Sequence, residues 1–526
     1  MVVAAFSFKE DYWQDFELLE EDIEFIYTHL LEIETPLTPK ELMTVLVEER
    51  IKREVRSIEE QRLAGGEIYL PKEDYEIKQK LVFPALGWRQ GEVMDTRPGW
   101  NPDFGDFKVI AVKFEDGEER SFASTLEQHH LNDPVDLSAD ESPTSQAVMA
   151  ASGPHLVEQL EAGLEAHPDF VRIAGRWFPR ALLIDVNTGH LNLAEAVLDM
   201  SGGGPLPTSE LCKQIDLAGE ENPKLVEFSL DLALQEDKRF DEVGPAGEIL
   251  WFLQRLEPAG VRETPTYLRY REVDYDLHLL TPDMRDLVEN LDDELSDIRN
   301  SPETGKDVAL RLLYPHLRAG TLPMTPRVQP FFPTAYEAPR IRFMLVDADT
   351  GEKIPGWVVK SGGYVFGLKD WYREHELMPG SIVRVRRGKT AGEVIIQADT
   401  QRSRRDWVRT LLVGTDGGMV FAMLKQVVTA AYDERMAIMI PDFEALNRVW
   451  ENRKAKQPPF ERVVVDIVRE LTKLNPQGHV HASELYAAIN LVRRCPPEPI
   501  LALLASRPWF VHVGDLHFRF DDSAGK

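Results

Sequence analysis

The sequence predicts an α+β multi-domain protein built from repeated winged-helix units and two small β-barrel modules. Its 526 residues are enough for roughly three to five domains. A short loop, a helix start and a Glu-Leu pair recur in PLTPKEL (36–42), PLPTSEL (205–211) and HVHASEL (479–485). Two other stretches, 81–133 and 336–410, consist of short β-rich runs separated by Gly, Pro, Asn and Asp.

The N-terminal 150 residues divide into three predicted parts. Residues 1–80 are predicted to be helical and winged-helix-like, because Thr38, Pro39 and Glu41 form a helix-start signal. Residues 81–133 form the first small barrel, with a strand at 109–114 and a turn at Asp116-Gly117. Residues 134–153 are small and polar, which is typical of a linker.

Residues 154–258 have the order expected of a winged helix-turn-helix. A helix and a hairpin come first. They are followed by a helix ending at Gly202-Gly203-Gly204, a second helix with Thr208 as its N-cap, a third amphipathic helix and a final hairpin. The same order recurs in 458–522, which is predicted to be a C-terminal winged helix.

Between these units the sequence predicts two connectors and a basic module. Residues 259–335 are predicted to be an acidic helical connector with a Pro-rich linker, and 411–457 a second helical connector. Residues 340–409 contain fourteen Lys and Arg against nine Asp and Glu, a net charge of +5 in a chain of −29. The predicted β-barrel at 336–410 is therefore the basic module.

Residues 191–254 resemble the HARE-type helix-turn-helix family, which includes the folded domain of the delta subunit of bacterial RNA polymerase. The matching segments are PLPTSEL, the third helix ending at Leu234, and RFDEVGPAGEILWFL. The resemblance implies a bacterial protein in which Arg239 and Phe240 pack the hairpin on the helices. It also suggests RNA polymerase, or another protein of the transcription machinery, as a partner.

The two β-rich modules also resemble known domains. Residues 81–124 resemble Tudor-like small barrels of bacterial helicases and transcription factors, through Gly91-Glu92-Val93, the strand at 109–114 and Asp116-Gly117. The insert TRPGWNPDFGD departs from that pattern. Residues 340–400 resemble plant-type DNA-binding pseudobarrels at Trp371, Leu377 and Gly380. This likeness implies contact with DNA.

The bulk properties favour a cytoplasmic protein with no membrane partner. No window approaches the roughly 18 consecutive apolar residues of a membrane span, and the N-terminus turns acidic at once, unlike a signal peptide. Cys212 and Cys495 lie in apolar helical patterns, which predicts two buried, reduced thiols. The charge of −29 counts against a protein whose whole surface binds nucleic acid.

No catalytic residue, cofactor or metal is predicted. The sequence contains no GxxxxGK[ST] phosphate loop. Asp347 and Asp349 are expected to shape a hairpin turn, and the His pairs at 129–130 and at 479 and 481 to have structural roles. A Ser-His-Asp triad assembled across the fold would leave no trace in the sequence.

The candidate nucleic-acid residues are basic side chains in the 336–410 module and the C-terminal unit. The third helix of 154–258 is acidic, which favours protein contact. The leading hypothesis is a non-enzymatic, DNA- or transcription-associated winged-helix protein. The alternatives are a structural adaptor that binds only proteins and a nuclease-accessory enzyme. The candidates are Arg384, Arg386, Arg387, Lys389, Arg402, Arg404, Arg405, Arg493, Arg494 and Arg507.

Overall fold

The computed structural model describes residues 12–63, 66–102, 105–132, 144–217, 222–302, 305–388, 390, 392–521 and 523–524. The chain divides into two compact units, Met1–Ile184 and Asp185–Lys526. Both units mix helices with small sheets, and the described residues form fourteen α-helices. The predicted mixed, multi-domain character is confirmed at this level. No helix in the described ranges combines the length and the apolar character needed to cross a bilayer.

The first unit contains three helices, a five-stranded sheet and a hairpin. In chain order its elements are α1 (Glu20–Ile33), α2 (Pro39–Leu63), β1 (Glu67–Ile68), β2 (Lys80–Phe83), β3 (Arg89–Asn101), β4 (Gly105–Phe114), β5 (Glu119–Ser124), α3 (Ser145–Ala166), β6 (Phe170–Ile173) and β7 (Arg176–Pro179).

The helices and the hairpin of the first unit pack together although they are far apart in the chain. Helix α2 lies along α3, and Leu37, just before α2, pairs with Trp177 of β7. The Tyr27 ring of α1 meets the Phe170 ring edge-on at 6.0 Å. The predicted region 154–258 is therefore divided: its first helix and hairpin belong to the first unit, and the boundary follows residue 184.

The predicted linker at 134–153 is also wrong in part, because residues 145–153 are the first turns of α3. Residues 133–143 lie outside the described ranges. The predicted helix cap at Thr38 is confirmed. Thr38 caps α2: its hydroxyl oxygen accepts from the Glu41 amide at 3.3 Å, and its own amide donates to the Glu41 carboxylate at 2.8 Å.

The five-stranded sheet has the order β1-β2-β3-β4-β5 and occupies the chain between α2 and α3. The predicted strand at 109–114 is the second half of β4, and Gly117 has the positive φ of 84° that a tight turn requires. Tyr69, Phe83, Phe114 and Phe122 form an aromatic cluster on one side of the sheet. The Tudor-like barrel stays a prediction.

The second unit contains the other eleven helices and fifteen strands of the described residues. Its first half consists of α4 (Thr188–Met200), β8 (Leu206–Pro207), α5 (Thr208–Ile215), α6 (Pro223–Glu236), β9 (Phe240–Glu242), β10 (Leu250–Leu253), α7 (Ala259–Arg262), α8 (Pro282–Leu291), β11 (Asp307–Arg311), α9 (Tyr314–Ala319) and β12 (Thr321–Pro323). Its second half consists of β13 (Arg340–Asp347), β14 (Lys353–Val359), β15 (Tyr364–Phe366), α10 (Lys369–Glu374), β16 (Ile382–Arg387), β17 (Glu393–Ala398), β18 (Thr400–Val413), β19 (Met419–Ala430), α11 (Phe443–Lys456), α12 (Phe460–Thr472), β20 (Val480–His481), α13 (Ala482–Ile489), α14 (Pro497–Ser506), β21 (Phe510–Gly514) and β22 (His517–Phe520).

Two trihelical segments begin and end this unit. Each contains three helices and a three-stranded sheet in which the short first strand pairs with the last, in the orders β8-β10-β9 and β20-β22-β21. The glycine run after α4 closes that helix as predicted, because the Gly203 amide donates to the Leu198 carbonyl at 2.8 Å. The winged-helix assignment of both segments stays a prediction.

The predicted capping role of Thr208 is wrong. Thr208 is already the first residue of α5, and its buried hydroxyl donates to the Asp231 carboxylate of α6. The Trp251 indole also donates to Asp231, at 2.8 Å. Asp231 is therefore buried within the segment and does not belong to the acidic surface expected of this helix.

A seven-stranded sheet in the order β11-β16-β17-β13-β14-β15-β12 forms an open half-barrel. The predicted module at 336–410 had both boundaries wrong. Edge strands β11 and β12 come from the predicted connector, where Val308 and Leu310 alternate with exposed residues and face the core. Residues 400–430 leave the sheet as a separate hairpin, β18–β19, so the predicted helical connector at 411–457 contains only α11 as a helix.

Candidate nucleic-acid interface

The structure distributes the predicted basic residues over three places in the second unit. Arg384, Arg386 and Arg387 lie on β16, and Arg402, Arg404 and Arg405 lie on β18. Arg493 and Arg494 precede α14 and Arg507 follows it. Lys389 lies outside the described residues.

On β16, two of the three arginines already have protein partners. Arg384 pairs with Asp399 at 2.8 Å and with Asp307 at 3.1 Å. Arg387 donates to the Pro330 carbonyl at 2.9 Å. Arg386 is exposed, and with Arg387 it lines an open depression of about 730 Å³. This strand offers weaker support for phosphate binding than its sequence suggested.

The prediction that Arg494 binds nucleic acid is wrong, because this residue is fully buried and cannot reach a nucleic acid. Its guanidinium pairs with Asp293 at 2.5 Å and with Glu294 at 2.7 Å, and it also donates to the Cys495 carbonyl. Burial opposes ionisation of Glu294, but Arg494 and then His316 outweigh it and hold the pKa of that carboxyl well below its ordinary value. The predicted acidic connector at 259–335 thus supplies buried counter-charges to Arg494.

The other two C-terminal arginines are only partly available. Arg507 pairs with Glu461 at 3.1 Å, and both side chains are more than a third exposed. Arg493 is half-buried, with its guanidinium 5.2 Å from the centre of the Phe460 ring. It lines a small basic cavity rather than a broad surface.

The β18–β19 hairpin presents the most exposed combination of basic and aromatic side chains among the predicted sites. Its register places Arg405 opposite Val427, Trp407 opposite Lys425 and Arg409 opposite Met423, all on one side. We call the exposed members of this side the hairpin face. They are Arg405, Trp407, Met423, Lys425 and Val427.

Trp407 is the centre of the hairpin face. Its side chain is 61% exposed, and the Lys425 ammonium lies 5.4 Å from its ring centre. Val427 is 56% exposed beside it. Large apolar side chains are normally buried, so an exposed indole with a cation beside its ring marks a surface available for a ligand.

The opposite side of the hairpin holds this surface in place. Val408 and Val428 pack there against Met378 and Ala437. On the same side as Trp407 but closer to the turn, the buried Arg409 pairs with Glu484 at 2.7 Å and donates to the Arg435 carbonyl at 2.9 Å. Since these contacts fix the backbone of both strands, the exposed ring needs little ordering on binding.

Arg402 and Arg404 extend the positive charge beside the hairpin face. Both are exposed; Arg404 pairs with Asp406, which also accepts from the Tyr432 hydroxyl at 3.0 Å. Residues 400–430 contain five cations and two carboxylates, whereas the whole chain has a charge of −29. The hairpin is therefore a local basic element on an acidic protein.

The sequence identified only part of this face. Arg405 was found by counting charges, but Trp407 and Lys425 were missed. An Arg-x-Trp-x-Arg alternation at 405–409 is a detectable strand signal. Lys425 could be added only from the cross-strand register, which depends on the pairing of β18 with β19.

The acidic turn at the end of β13 has the structural role that its sequence predicted. Asp347 accepts from the Asp349 amide at 2.7 Å through one oxygen and from the Trp371 indole at 2.9 Å through the other. Asp347, Asp349 and His375 bring potential ligand atoms within 4.8 Å of one another. Because hydrogen bonds already engage Asp347, we assign it to the turn.

Arg239 and Phe240 lie as their sequence resemblance implies. Phe240 is buried, and Arg239 links the hairpin to α4 through Glu195 at 2.7 Å and Asn192 at 2.9 Å. Membership of the HARE-type family stays a prediction. Scans against models of protein families, against curated proteins and against solved structures found no match to this chain.

Proposed function

We propose that this chain is a non-enzymatic, DNA-associated protein that binds single-stranded nucleic acid on its hairpin face. The observation that carries the proposal is the exposed Trp407 ring, which has Lys425 opposite it across the hairpin and Arg405 two residues away on the same side of β18. Every nucleobase has a π-face that can stack on an indole, and neighbouring cations attract the phosphates. This pairing of groups is selective for nucleic acid without being selective for its sequence.

Single-stranded nucleic acid fits the hairpin face better than a duplex does. A base can reach Trp407 only when it is unstacked from its neighbours, which costs a few kcal/mol in a duplex. The exposed valine and methionine beside the ring extend the apolar contact. Stacking of one base on an aromatic ring contributes about 1–3 kcal/mol.

The two trihelical segments support the association with transcription. We assign both as winged helices because each has a helix, a short strand, two helices and a hairpin in the order of that motif. The α6 surface carries Glu227 and Glu236 beside Lys224, so that segment would repel phosphate. We therefore propose that it contacts protein, with RNA polymerase or another transcription protein as the partner.

The test is fluorescence anisotropy with the full-length protein and a labelled 20-nucleotide single strand, repeated over a series of salt concentrations. We expect Trp407→Ala to weaken binding about 5–150-fold, the equivalent of one lost stacking interaction. The matched control is Trp100→Ala, because Trp100 is 71% exposed on β3 and lies outside the hairpin. Equal losses in the two variants would rule out a specific role for Trp407.

The salt dependence of binding tests the charged residues of the hairpin face. The Arg405→Gln/Lys425→Gln double variant should reduce the slope of log K against log salt by about 1.4, because each single-strand phosphate contact contributes about 0.7. The charge-matched control is Lys353→Gln/Arg373→Gln, since both side chains are exposed away from the hairpin. Absence of binding to any strand at low salt would refute the proposal.

A protein-only adaptor is the second candidate, and a separate surface of the hairpin favours it. Near the turn, the side opposite the hairpin face leaves Leu412, Val420 and Leu424 at least 36% exposed. An adaptor would bind its partner after nuclease digestion and lose it in Leu412→Ser/Leu424→Ser, while Trp407→Ala would have no effect. The reverse pattern would favour nucleic acid.

A further inference from the structure

A small cavity in the second unit collects cations from three separate segments of the chain. It lies where residues 266–271, the end of α11 and the loop before α14 meet, and its volume is about 170 Å³. We call it the basic pocket. Its lining residues are Thr266, Arg269, Arg271, Trp450, Arg453, Lys454, Gln457, Pro458, Val463, Val492, Arg493 and Arg494.

The basic pocket contains no carboxylate among its described lining residues, although acids outnumber bases in the chain. Arg494 is neutralised by its ion pairs with Asp293 and Glu294. The other five cations that line the cavity are Arg269, Arg271, Arg453, Lys454 and Arg493. Two of these five, Arg269 and Lys454, have an acidic partner, and in each case the partner is exposed to solvent. Glu263 lies 3.5 Å from Arg269 and is 81% exposed, and Glu451 lies 4.0 Å from Lys454 and is 61% exposed.

Two of the five cations are half-buried without an ion pair in the described part of the chain. They are Arg453 and Arg493. Burial lowers the pKa of both guanidinium groups, although Asp466 partly offsets this effect at Arg453 and Cys495 partly offsets it at Arg493. An arginine remains protonated despite such a shift. The pocket therefore holds two partly desolvated guanidinium groups that no direct ion pair engages in the described part of the chain, and an anion would be bound strongly there.

Stabilisation of a helix end explains only part of this arrangement. Arg453 and Lys454 lie in the last turn of α11, where the helix dipole favours cations. Arg269 and Arg271 come from a segment without regular secondary structure, and Arg493 comes from the loop before α14. Arg271 donates to the Gln457 side chain at 2.6 Å, which turns it toward the end of α11. The convergence of three segments thus needs another explanation.

We propose that the basic pocket binds a small ligand with clustered phosphate groups, of the nucleoside diphosphate class. The five cations match a diphosphate, whose charge one or two arginines could not balance. Pro458, Val463 and Val492 give the cavity an apolar wall that can take the base. The cavity, about 170 Å³, is smaller than a pocket that encloses a drug-sized ligand, so it holds the diphosphate and one face of the base while the rest of the nucleoside lies outside it. A nucleic acid duplex is too wide to enter.

This proposal does not depend on the hairpin face, because the two sites have no residue in common. The test uses isothermal titration calorimetry of the full-length protein with ADP, pyrophosphate, adenosine and sulfate at one ionic strength. We expect ADP to bind most tightly, pyrophosphate at least tenfold more tightly than sulfate, and adenosine not to bind. ADP binding no tighter than sulfate would overturn the proposal.

Variants locate the site. Arg453→Gln and Arg493→Gln should each weaken ADP binding at least tenfold, while Arg453→Lys should restore part of it. The control variants Arg507→Gln and Lys473→Gln remove cations that lie outside the pocket and pair with Glu461 and Glu470. They should leave ADP binding unchanged. An equal loss in pocket and control variants would refute the assignment.

A stability measurement separates a ligand site from a structural cluster. Removing one of several mutually repelling cations should leave the melting temperature of ligand-free Arg453→Gln unchanged or raised. A lower melting temperature would show that Arg453 supports the fold, and would overturn the proposal. Displacement of ADP by a single strand without terminal phosphates would instead assign the pocket to the nucleic-acid backbone.

Discussion

Arg494 offers the sharpest test of how the C-terminal segment is attached to the rest of its unit. Its guanidinium is fully buried, 2.5 Å from Asp293 and 2.7 Å from Glu294, and the Tyr486 hydroxyl also donates to Asp293. Arg494→Met would leave two carboxylates buried without a counter-charge. Breaking a buried pair in this way typically costs about 3–5 kcal/mol, and here one arginine serves two acids.

The expected loss is large enough to measure by thermal unfolding. For a unit of this size the melting temperature falls by at most about 2 °C per kcal/mol, so Arg494→Met should unfold up to roughly 6–10 °C below the wild type. Arg507→Met is the matched control, because the Arg507–Glu461 pair is exposed and such pairs contribute less than about 1 kcal/mol.

Two further measurements test the cause of the loss. Protonation neutralises the two carboxylates that Arg494→Met leaves without a counter-charge. The difference in stability between Arg494→Met and the wild type should therefore shrink as the pH falls from 7 to 4. The triple variant Arg494→Met/Asp293→Asn/Glu294→Gln should recover most of the stability, because it removes the buried arginine together with both carboxylates that pair with it, and replacing a whole buried ionic group in this way is often close to neutral. A loss below about 1 kcal/mol, or a triple variant less stable than Arg494→Met, would refute this account.

Three other predictions follow from local contacts. Thr38→Ala should destabilise the first unit by about 0.5–2 kcal/mol in urea unfolding, while Thr38→Ser should cost little, since the cap needs only the hydroxyl. Burial raises the pKa of Asp231 to about 7, despite hydrogen bonds from Thr208 and Trp251. The stability that this carboxyl contributes is thus complete below about pH 4 and is lost as the pH rises through 7. Asp231→Asn should therefore be more stable than the wild type at pH 8 and similar at pH 4, and a wild type at least as stable as Asp231→Asn at pH 8 would contradict this. Burial, and then the charge of Arg435, lowers the pKa of His481 to about 4. Its contribution is present above about pH 6.5 and is lost as the pH falls through 4, so the wild type should lose about 2 kcal/mol between pH 7.5 and pH 5, measured by urea unfolding at each pH. His481→Asn should show a smaller change, and an identical change in both proteins would exclude His481 as its source.

Several local features of this protein could be predicted from its sequence, although the cap at Thr208 could not. The Thr38 cap, the strand at 109–114, the turn at Asp347 and the two buried free cysteines are all present. Each depends on residues within a few positions of one another, or on the apolar pattern of a single helix. Such contacts form in nearly the same way wherever the segment lies in the fold.

The partners of those segments were decided only by the tertiary structure. Helix α3 packs directly against α2, although the five-stranded sheet separates them in the chain and the sequence suggested that α3 belonged with the residues that follow it. Arg493 and Arg494 are neighbours in the chain, yet one faces an open pocket and the other is buried. The residues that bury Arg494 lie about 200 positions away in the sequence. The sequence therefore determined the types of side chain and the local elements. Long-range packing determined which cations are neutralised and which remain free for a ligand, because a charge is neutralised only by an opposite charge that the fold brings next to it.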